Sequence, residues 1–456
     1  MKIKEFSLRH AALVLGVFMV LCGVESAALG QGHGGGPGGT TGGGGDISGG
    51  ASGGASGRST VSTRSGSAPT ARRNVRRGSR RRTTPTTPST ATSRTPQPTG
   101  PSADELDRQG DAFFQARQYD RAAEVYQRLV RVTPNDSEAW FDLGNALYNA
   151  ERYQESVTAY QRAAQLDPQW ETAHFYLGDA YHALQLYSEA ATSYLNAINI
   201  KADYQEALRA LGSTYNALKR YTDAIPYLRQ AVRLNPNDDD AQFSLGNSYY
   251  NSKQYAESVA PYQAAARISP KWATAHWYLA DAYLNLRRNQ EALKEYILAG
   301  DLYTEAKQYD EGRNVYEIAL KIDPNNSEAH LGMGNTYYNN GQYAESIPFY
   351  QAATRANPRW PAAHWYLGDA YFNVRRYEQA ADSYERAVQL QPNNAELRYM
   401  RGRTFILLGN REGAMAEYRV LRTLDADKAN KLYALINNQQ EEENHPSRTA
   451  QHKAAR

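Results

Sequence analysis

The chain has 456 residues, with 51 Lys and Arg against 48 Asp and Glu, a formal net charge of +3, and one cysteine. A lone cysteine excludes a disulfide framework and thiol-based metal spacing. The small net charge conceals a division between a basic segment and a mildly acidic remainder. The amino terminus, MKIKEFSLRHAALVLGVFMVLCGVESAALGQ, has a basic start and a 14-residue apolar run from Ala11 to Val24. Small residues follow at a spacing that suits cleavage after Ala28 or Gly30. Residues 1–30 thus predict a secretory signal peptide, too short for a comfortable membrane span. Export to the periplasm, cell envelope or exterior is the expectation, and a membrane anchor over residues 11–24 is the alternative. Leu21 before Cys22 fits lipidation poorly, and cleavage would remove that thiol.

Residues 31–101 turn to Gly, then to Ser, Thr, Pro and Arg, with too little apolar surface to fold, and predict a disordered linker. The segment holds ten arginines and one acid, Asp46, with Arg72, Arg73, Arg76, Arg77, Arg80, Arg81 and Arg82 clustered in ARRNVRRGSRRR. The rest of the mature chain then carries about −7. The Arg cluster is a candidate patch for an anionic surface or glycan, or else a solvated, self-repelling tether. The export signal argues against nucleic acid as the partner.

From residue 102 a fixed period governs the chain. Gly110, Gly144, Gly178, Gly212, Gly246 and Ala280 follow at steps of 34 residues, and the series resumes as Gly334, Gly368 and Gly402. We number a unit from Ser137, so that Gly144 is place 8. An aromatic recurs at place 11 (Tyr181, Tyr215, Tyr249, Tyr283, Tyr337, Tyr371), a small residue at place 20, tyrosine at place 24 (Tyr126, Tyr160, Tyr194, Tyr262, Tyr296, Tyr350, Tyr384) and proline at place 32. Places 4, 7, 8 and 11 share one helical face, and 20, 24 and 27 share the face of a second helix. Small residues at 8 and 20 let the two backbones approach, and the proline ends the second helix. A period of this length means stacked supersecondary units.

The pattern resembles the tetratricopeptide repeat family. The resemblance implies an all-α, right-handed superhelical solenoid of about ten helical hairpins over residues 102–428. A capping helix follows at 429–438, with Leu432, Tyr433, Leu435 and Ile436, and then a disordered polar tail at 439–456. A longer period overlies the first, because PQWETAHFYLGDAY, PKWATAHWYLADAY and PRWPAAHWYLGDAY head equivalent repeats. Three-repeat blocks begin at Ser137, Asp239 and Ser327, at spacings of 102 and 88 residues. The shortfall of 14 is one helix, and the out-of-phase Gly300 places it at an irregular junction near 287–307. One helix there is expected to serve two hairpins and to turn the stacking direction.

In the family, places 5, 9, 12 and 13 of the first helix point into the concave groove. The resemblance therefore implies a peptide-binding groove lined at place 5 by Phe141, Phe175, Phe243, Trp277, Trp365 and Tyr399. Place 9 adds Asn145, Asp179, Asn247, Asp281, Asn335 and Asp369. Tyr148, Tyr250, Tyr338 and Phe372 stand at place 12, and Asn149, Asn251, Asn285, Asn339 and Asn373 at place 13. Amides can pair with an extended backbone and rings supply broad contact area, so protein partners are expected, with extended peptide segments as the ligand. The alternative for place 5 is sideways packing on the next repeat. The family's clamp for a terminal carboxylate needs Lys at place 5 and Asn at place 9. Here place 5 is aromatic and the only Arg at either place are Arg209 and Arg403, so that clamp is not expected. Rings beside amides and acids also suit sugars, which leaves a carbohydrate-contacting role in envelope polysaccharide export as the alternative function.

His174, His276 and His364 stand at place 4, each four residues after a Trp. They are expected to stack on those rings, being too many helices apart for a shared metal. No phosphate loop, zinc spacing or serine elbow is present, so neither an enzyme nor a cofactor is expected.

Overall fold

The computed structural model describes residues 101–444; the signal-type start, the linker with its Arg cluster and the end of the tail lie outside them. Among the described residues there are helices and no strands. They run α1 (Ala103–Gln115), α2 (Tyr119–Val132), α3 (Ser137–Asn149), α4 (Tyr153–Leu166), α5 (Glu171–Ala183), α6 (Tyr187–Ile200), α7 (Gln205–Ala217), α8 (Tyr221–Leu234), α9 (Asp239–Asn251) and α10 (Tyr255–Ile268). The second half continues as α11 (Ala273–Asn285), α12 (Asn289–Glu305), α13 (Tyr309–Ile322), α14 (Ser327–Asn339), α15 (Tyr343–Ala356), α16 (Pro361–Asn373), α17 (Tyr377–Leu390), α18 (Ala395–Leu407), α19 (Arg411–Leu424) and α20 (Ala426–Asn444).

Each hairpin is closed by the same turn. One residue after the first helix takes positive φ: Arg117, Glu151, Gln185, Lys219, Lys253, Arg287, Lys307, Gly341, Arg375 and Gly409. This left-handed residue ends the helix as an αL cap. At Gly341 and Gly409 an added Cβ would meet nothing within 4 Å. Gly341→Ala should therefore cost about 1 kcal/mol through backbone conformation alone, as a lowered urea midpoint would show. A larger loss would reveal a contact at that turn.

The start of seven of the first helices is tied to the preceding proline carbonyl by place 4. Trp140 Nε1 donates to the Pro134 carbonyl at 3.0 Å, Gln242 Nε2 to that of Pro236 at 3.1 Å, and Arg398 Nε to that of Pro392 at 2.6 Å. The imidazole Nε2 of His174, His276, His330 and His364 meets the carbonyls of Pro168, Pro270, Pro324 and Pro358 at 2.9–3.3 Å. A polar bond to the turn, rather than stacking on the Trp four residues earlier, is thus the role of these histidines. It satisfies a carbonyl that the interrupted helix leaves without an intrahelical donor.

Between the helices of a hairpin the place-24 tyrosine lies flat against the place-8 glycine. Tyr160, Tyr262, Tyr350 and Tyr384 are fully buried. A Cβ at Gly144 would lie 2.6 Å from Tyr160, and one at Gly368 2.7 Å from Tyr384. The first helices of neighbouring hairpins also touch, as α7 does α9 and α14 does α16, whereas second helices of consecutive hairpins make no comparable contact. First helices therefore line the inner, tighter side of the stack.

The break in period is a shared helix. At 17 residues α12 is longer than the 13 or 14 of its neighbours. Tyr296 of α12 donates its hydroxyl to Asp281 of α11, as a second helix does, while Asp301 of α12 accepts from Tyr316 of α13, as a first helix does. Beyond α19, α20 closes the core with Leu432 and Ile436. It continues to Asn444, past the Asn438 expected from sequence.

Candidate functional site

In the Asn and Asp hairpins the polar residue at place 9 has a partner inside its own hairpin. Across the helix pair, Tyr160 Oη donates to Asn145 Oδ1 at 2.8 Å, Tyr194 to Asp179 at 2.7 Å, Tyr262 to Asn247 at 2.8 Å and Tyr350 to Asn335 at 2.9 Å. Tyr296 and Tyr384 donate likewise to Asp281 and Asp369. Place 9 is therefore a strap that fixes the buried tyrosine as well as a surface position. Asn145, at 3 % exposure, is removed from the accessible set altogether. The place-13 amides are also engaged: Nδ2 of Asn149, Asn251, Asn285 and Asn373 donates to the place-9 carbonyl of its own helix at 2.8 Å.

Place 5 divides. Phe141 is 5 % exposed, with its ring centroid 4.6 Å from Trp170 and 5.4 Å from Tyr176 of the next repeat. Phe243 lies 4.5 Å from Trp272 and 5.5 Å from Tyr278. Phe141 is inter-repeat core and Phe243, half-buried, packs in the same direction, because a compact ring at this place reaches sideways into the following turn. Phe175 packs on Tyr204 at 5.2 Å. Trp277 and Trp365 are half-buried beside Asp281 and Asp369 one turn on. Tyr399 packs at the cap, with the Arg403 guanidinium 5.8 Å from its ring.

The period brings a different set of rings together at the inner side. Once per block, a place-12 tyrosine of one repeat meets the place-6 tyrosine and place-9 aspartate of the next: Tyr148 with Tyr176 and Asp179, Tyr250 with Tyr278 and Asp281, Tyr338 with Tyr366 and Asp369. Tyr250 and Tyr278 are 6.1 Å apart at 86°. Tyr176, Tyr278 and Tyr366 stack on the buried Tyr160, Tyr262 and Tyr350 at 5.9–6.0 Å. Asn285 and Asn373 hold the hydroxyls of Tyr250 and Tyr338 at 3.2 and 2.9 Å. From behind, Tyr153, Tyr255 and Tyr343 at place 17 meet the place-12 rings edge to face at 4.9–5.3 Å. These rings stand half-buried, beside the exposed Asn251, Asn285, Asn339 and Asn373.

Burial governs the electrostatics. Desolvation lifts the Asp179 carboxyl to about 7, against the Tyr194 bond and the charge of Arg209, which both lower it. Asp281 is lifted to about 6, opposed by bonds from Tyr296 and Trp277. Asp369 also rises to about 6, opposed by Tyr384, Trp365 and Arg403, with Glu396 adding to the rise. Desolvation likewise pushes Tyr148, Tyr176 and Tyr250 well above the usual phenol range, so all three stay neutral donors.

The place-6 and place-17 tyrosines were the residues missed by sequence reasoning. The place-6 signal was present in the aligned HFYLGDAY, HWYLADAY and HWYLGDAY.

A family model described as tetratricopeptide repeat matches residues 108–169, 209–271, 331–395 and 367–429, and one described as TPR repeat matches 300–341; together they cover more than half of the chain. No curated protein matches it. Among solved structures, YrrB, "a TPR protein with an unusual peptide-binding site", is 22% identical with a TM-score of 0.36, over 45% of this chain and 96% of that one. MamA is 21% identical with a TM-score of 0.35, over 38% and 94%. A tetratricopeptide repeat protein from Parabacteroides merdae is 15% identical with a TM-score of 0.38, over 59% and 98%. Identities at this level bear on the fold alone. No helix among the described residues is long and apolar enough to cross a membrane, and neither matching model is of a catalytic family. With its period, its strapped hairpins and the family-model matches, the chain belongs to the tetratricopeptide repeat family, an all-helical array of the scaffold type suited to protein–protein interaction.

Proposed function

We propose that the chain is a non-catalytic, exported scaffold that holds an extended segment of a protein partner along the inner side of its first helices, as part of a cell-envelope assembly. The observation that supports the groove is the row of half-buried tyrosines, Tyr148 and Tyr176, Tyr250 and Tyr278, Tyr338 and Tyr366, which recurs with each block and in the second and third blocks stands beside exposed asparagines. Rings held rigid by stacking and by Asn285 and Asn373 lose little entropy when a ligand covers them. Export rests on the basic start and the apolar run from Ala11 to Val24.

Selection of the full chain against a library of unstructured peptides tests the groove. Binders should lose about 2 kcal/mol of affinity in the Tyr250→Ala/Tyr338→Ala chain at unchanged helix content. Undiminished binding would place the partner on the second-helix side.

A further inference from the structure

The strap needs an acceptor and does not need a charge. In the first repeat of every block it is served by an amide, Asn145, Asn247 or Asn335, at 2.8–2.9 Å. In the second repeat of every block the same place holds a carboxyl, Asp179, Asp281 or Asp369, with the tyrosine hydroxyl bound in the same way. An amide would meet that bond without the desolvation that a carboxylate suffers. The charged choice therefore works against stability. Asp111 and Asp301 make the same strap without tyrosine walls, whereas at Asp179, Asp281 and Asp369 the carboxyl stands beside a pair of tyrosine rings in every block.

No ion pair engages these three carboxyls among the described residues. In the first block the nearest guanidinium, Arg209, is directed to Asp238 at 3.3 Å and Asp240 at 3.6 Å. In the third, Arg403 lies over Phe372 and Tyr399 at 5.3 and 5.8 Å. In the second, no cation acts on Asp281; its neighbours are Tyr296, Trp277, Tyr250 and Tyr278. A half-buried carboxylate flanked by ring faces, and engaged in no ion pair, is the arrangement that attracts an ammonium or guanidinium group. The rings contribute through their negative faces and the carboxylate through a Coulomb term that water screens only partly. A neutral hydrogen-bonding ligand would be served equally well by asparagine.

We propose that each recess receives a Lys or Arg side chain from an extended basic segment of a protein partner, with Asp179, Asp281 and Asp369 as the counter-charges and the paired tyrosines as walls. This rests on the groove reading and adds the charge of the ligand to it. One recess in each block makes the ligand a segment with recurring cations rather than a single basic residue.

Fluorescence anisotropy of the full chain with a labelled Gly/Ser peptide carrying Lys at every third position tests it. The peptide should bind, and replacing each Lys by norleucine should weaken binding at least about tenfold. The D179N/D281N/D369N chain keeps every strap acceptor and should show a similar loss. The D203N/E257Q/D382N chain, altered to the same extent in net charge at exposed sites, should not. Equal weakening in both triple variants would reduce the effect to overall charge and overturn the inference. Equal binding of the Lys and norleucine peptides, lost in Tyr250→Ala/Tyr338→Ala, would overturn the cation while leaving the groove intact. Absence of binding by the Lys peptide also overturns it. Binding that emerges only when Arg72, Arg73, Arg76, Arg77, Arg80, Arg81 and Arg82 are changed to Ser would identify the chain's own basic segment as occupant, and overturn a separate partner.

Discussion

Gly246→Leu should cost about 3 kcal/mol or more and unravel the middle of the array before its ends. The first added carbon would already lie 2.5 Å from Cδ1 of Tyr262, inside any tolerable contact. That ring cannot swing aside. It is fully buried, stacked on Tyr278 at 5.9 Å, and bound through its hydroxyl to Asn247. Ala280 occupies the same place in the next hairpin with Tyr296 still fully buried, so a hairpin can adjust to one methyl group. Gly246→Ala should accordingly be several times milder. Hydrogen exchange read by mass spectrometry checks the location: protection should fall around α9 to α11 and persist in α1 to α4, because each hairpin is supported only by its neighbours. A uniform loss from α1 to α20 would contradict that picture.

The D179N/D281N/D369N chain should be more stable than the wild type at pH 8 and nearly equal to it at pH 4. Burial raises the three carboxyls from 3.8 to about 7, 6 and 6. Between those values the folded chain holds protons that the unfolded chain has released. Folding therefore takes up protons there, and wild-type stability falls as pH rises from about 4 through 7. Arg209 and Arg403 moderate the effect at the outer two sites, Glu396 adds to it at Asp369, and the facing tyrosines stay neutral. With one pH unit equal to about 1.4 kcal/mol and partial solvent access allowed for, the gain at pH 8 is about 1–2 kcal/mol per site. Thermal melts of both chains across this range provide the test. A difference independent of pH would show that the carboxyls are not desolvated.

The hairpins were legible because their signals are local and repeated. Gly144 and Tyr160 are 16 places apart in every unit, and the helix ends are marked by prolines such as Pro168 and Pro270. The shared helix was legible as a deficit of 14 residues. The division of labour within the first helix was not. Whether Asn247 faces a ligand or a neighbour depends on a hydroxyl that arrives from another helix, and no spacing within α9 reveals it. Phe141 is lost to the groove for a similar reason, since its sideways reach, like that of Phe243, is set by a Trp in the following turn, Trp170 or Trp272. With 34 tyrosines in the chain, the recurrence of Tyr176, Tyr278 and Tyr366 at place 6 was masked by the other rings.

An array of like units can in principle gain or lose one by recombination, because every hairpin brings both of its helices. The α12 helix withdraws that freedom at one point. Tyr296 closes the hairpin before it and Gly300 opens the one after it, so the two units have no seam between them. Excision of a 34-residue unit on either side would strand half a hairpin, whereas the same excision elsewhere rejoins matching ends. The length of the array on each side of α12 can drift through its history, but the central pair is inherited only as a whole.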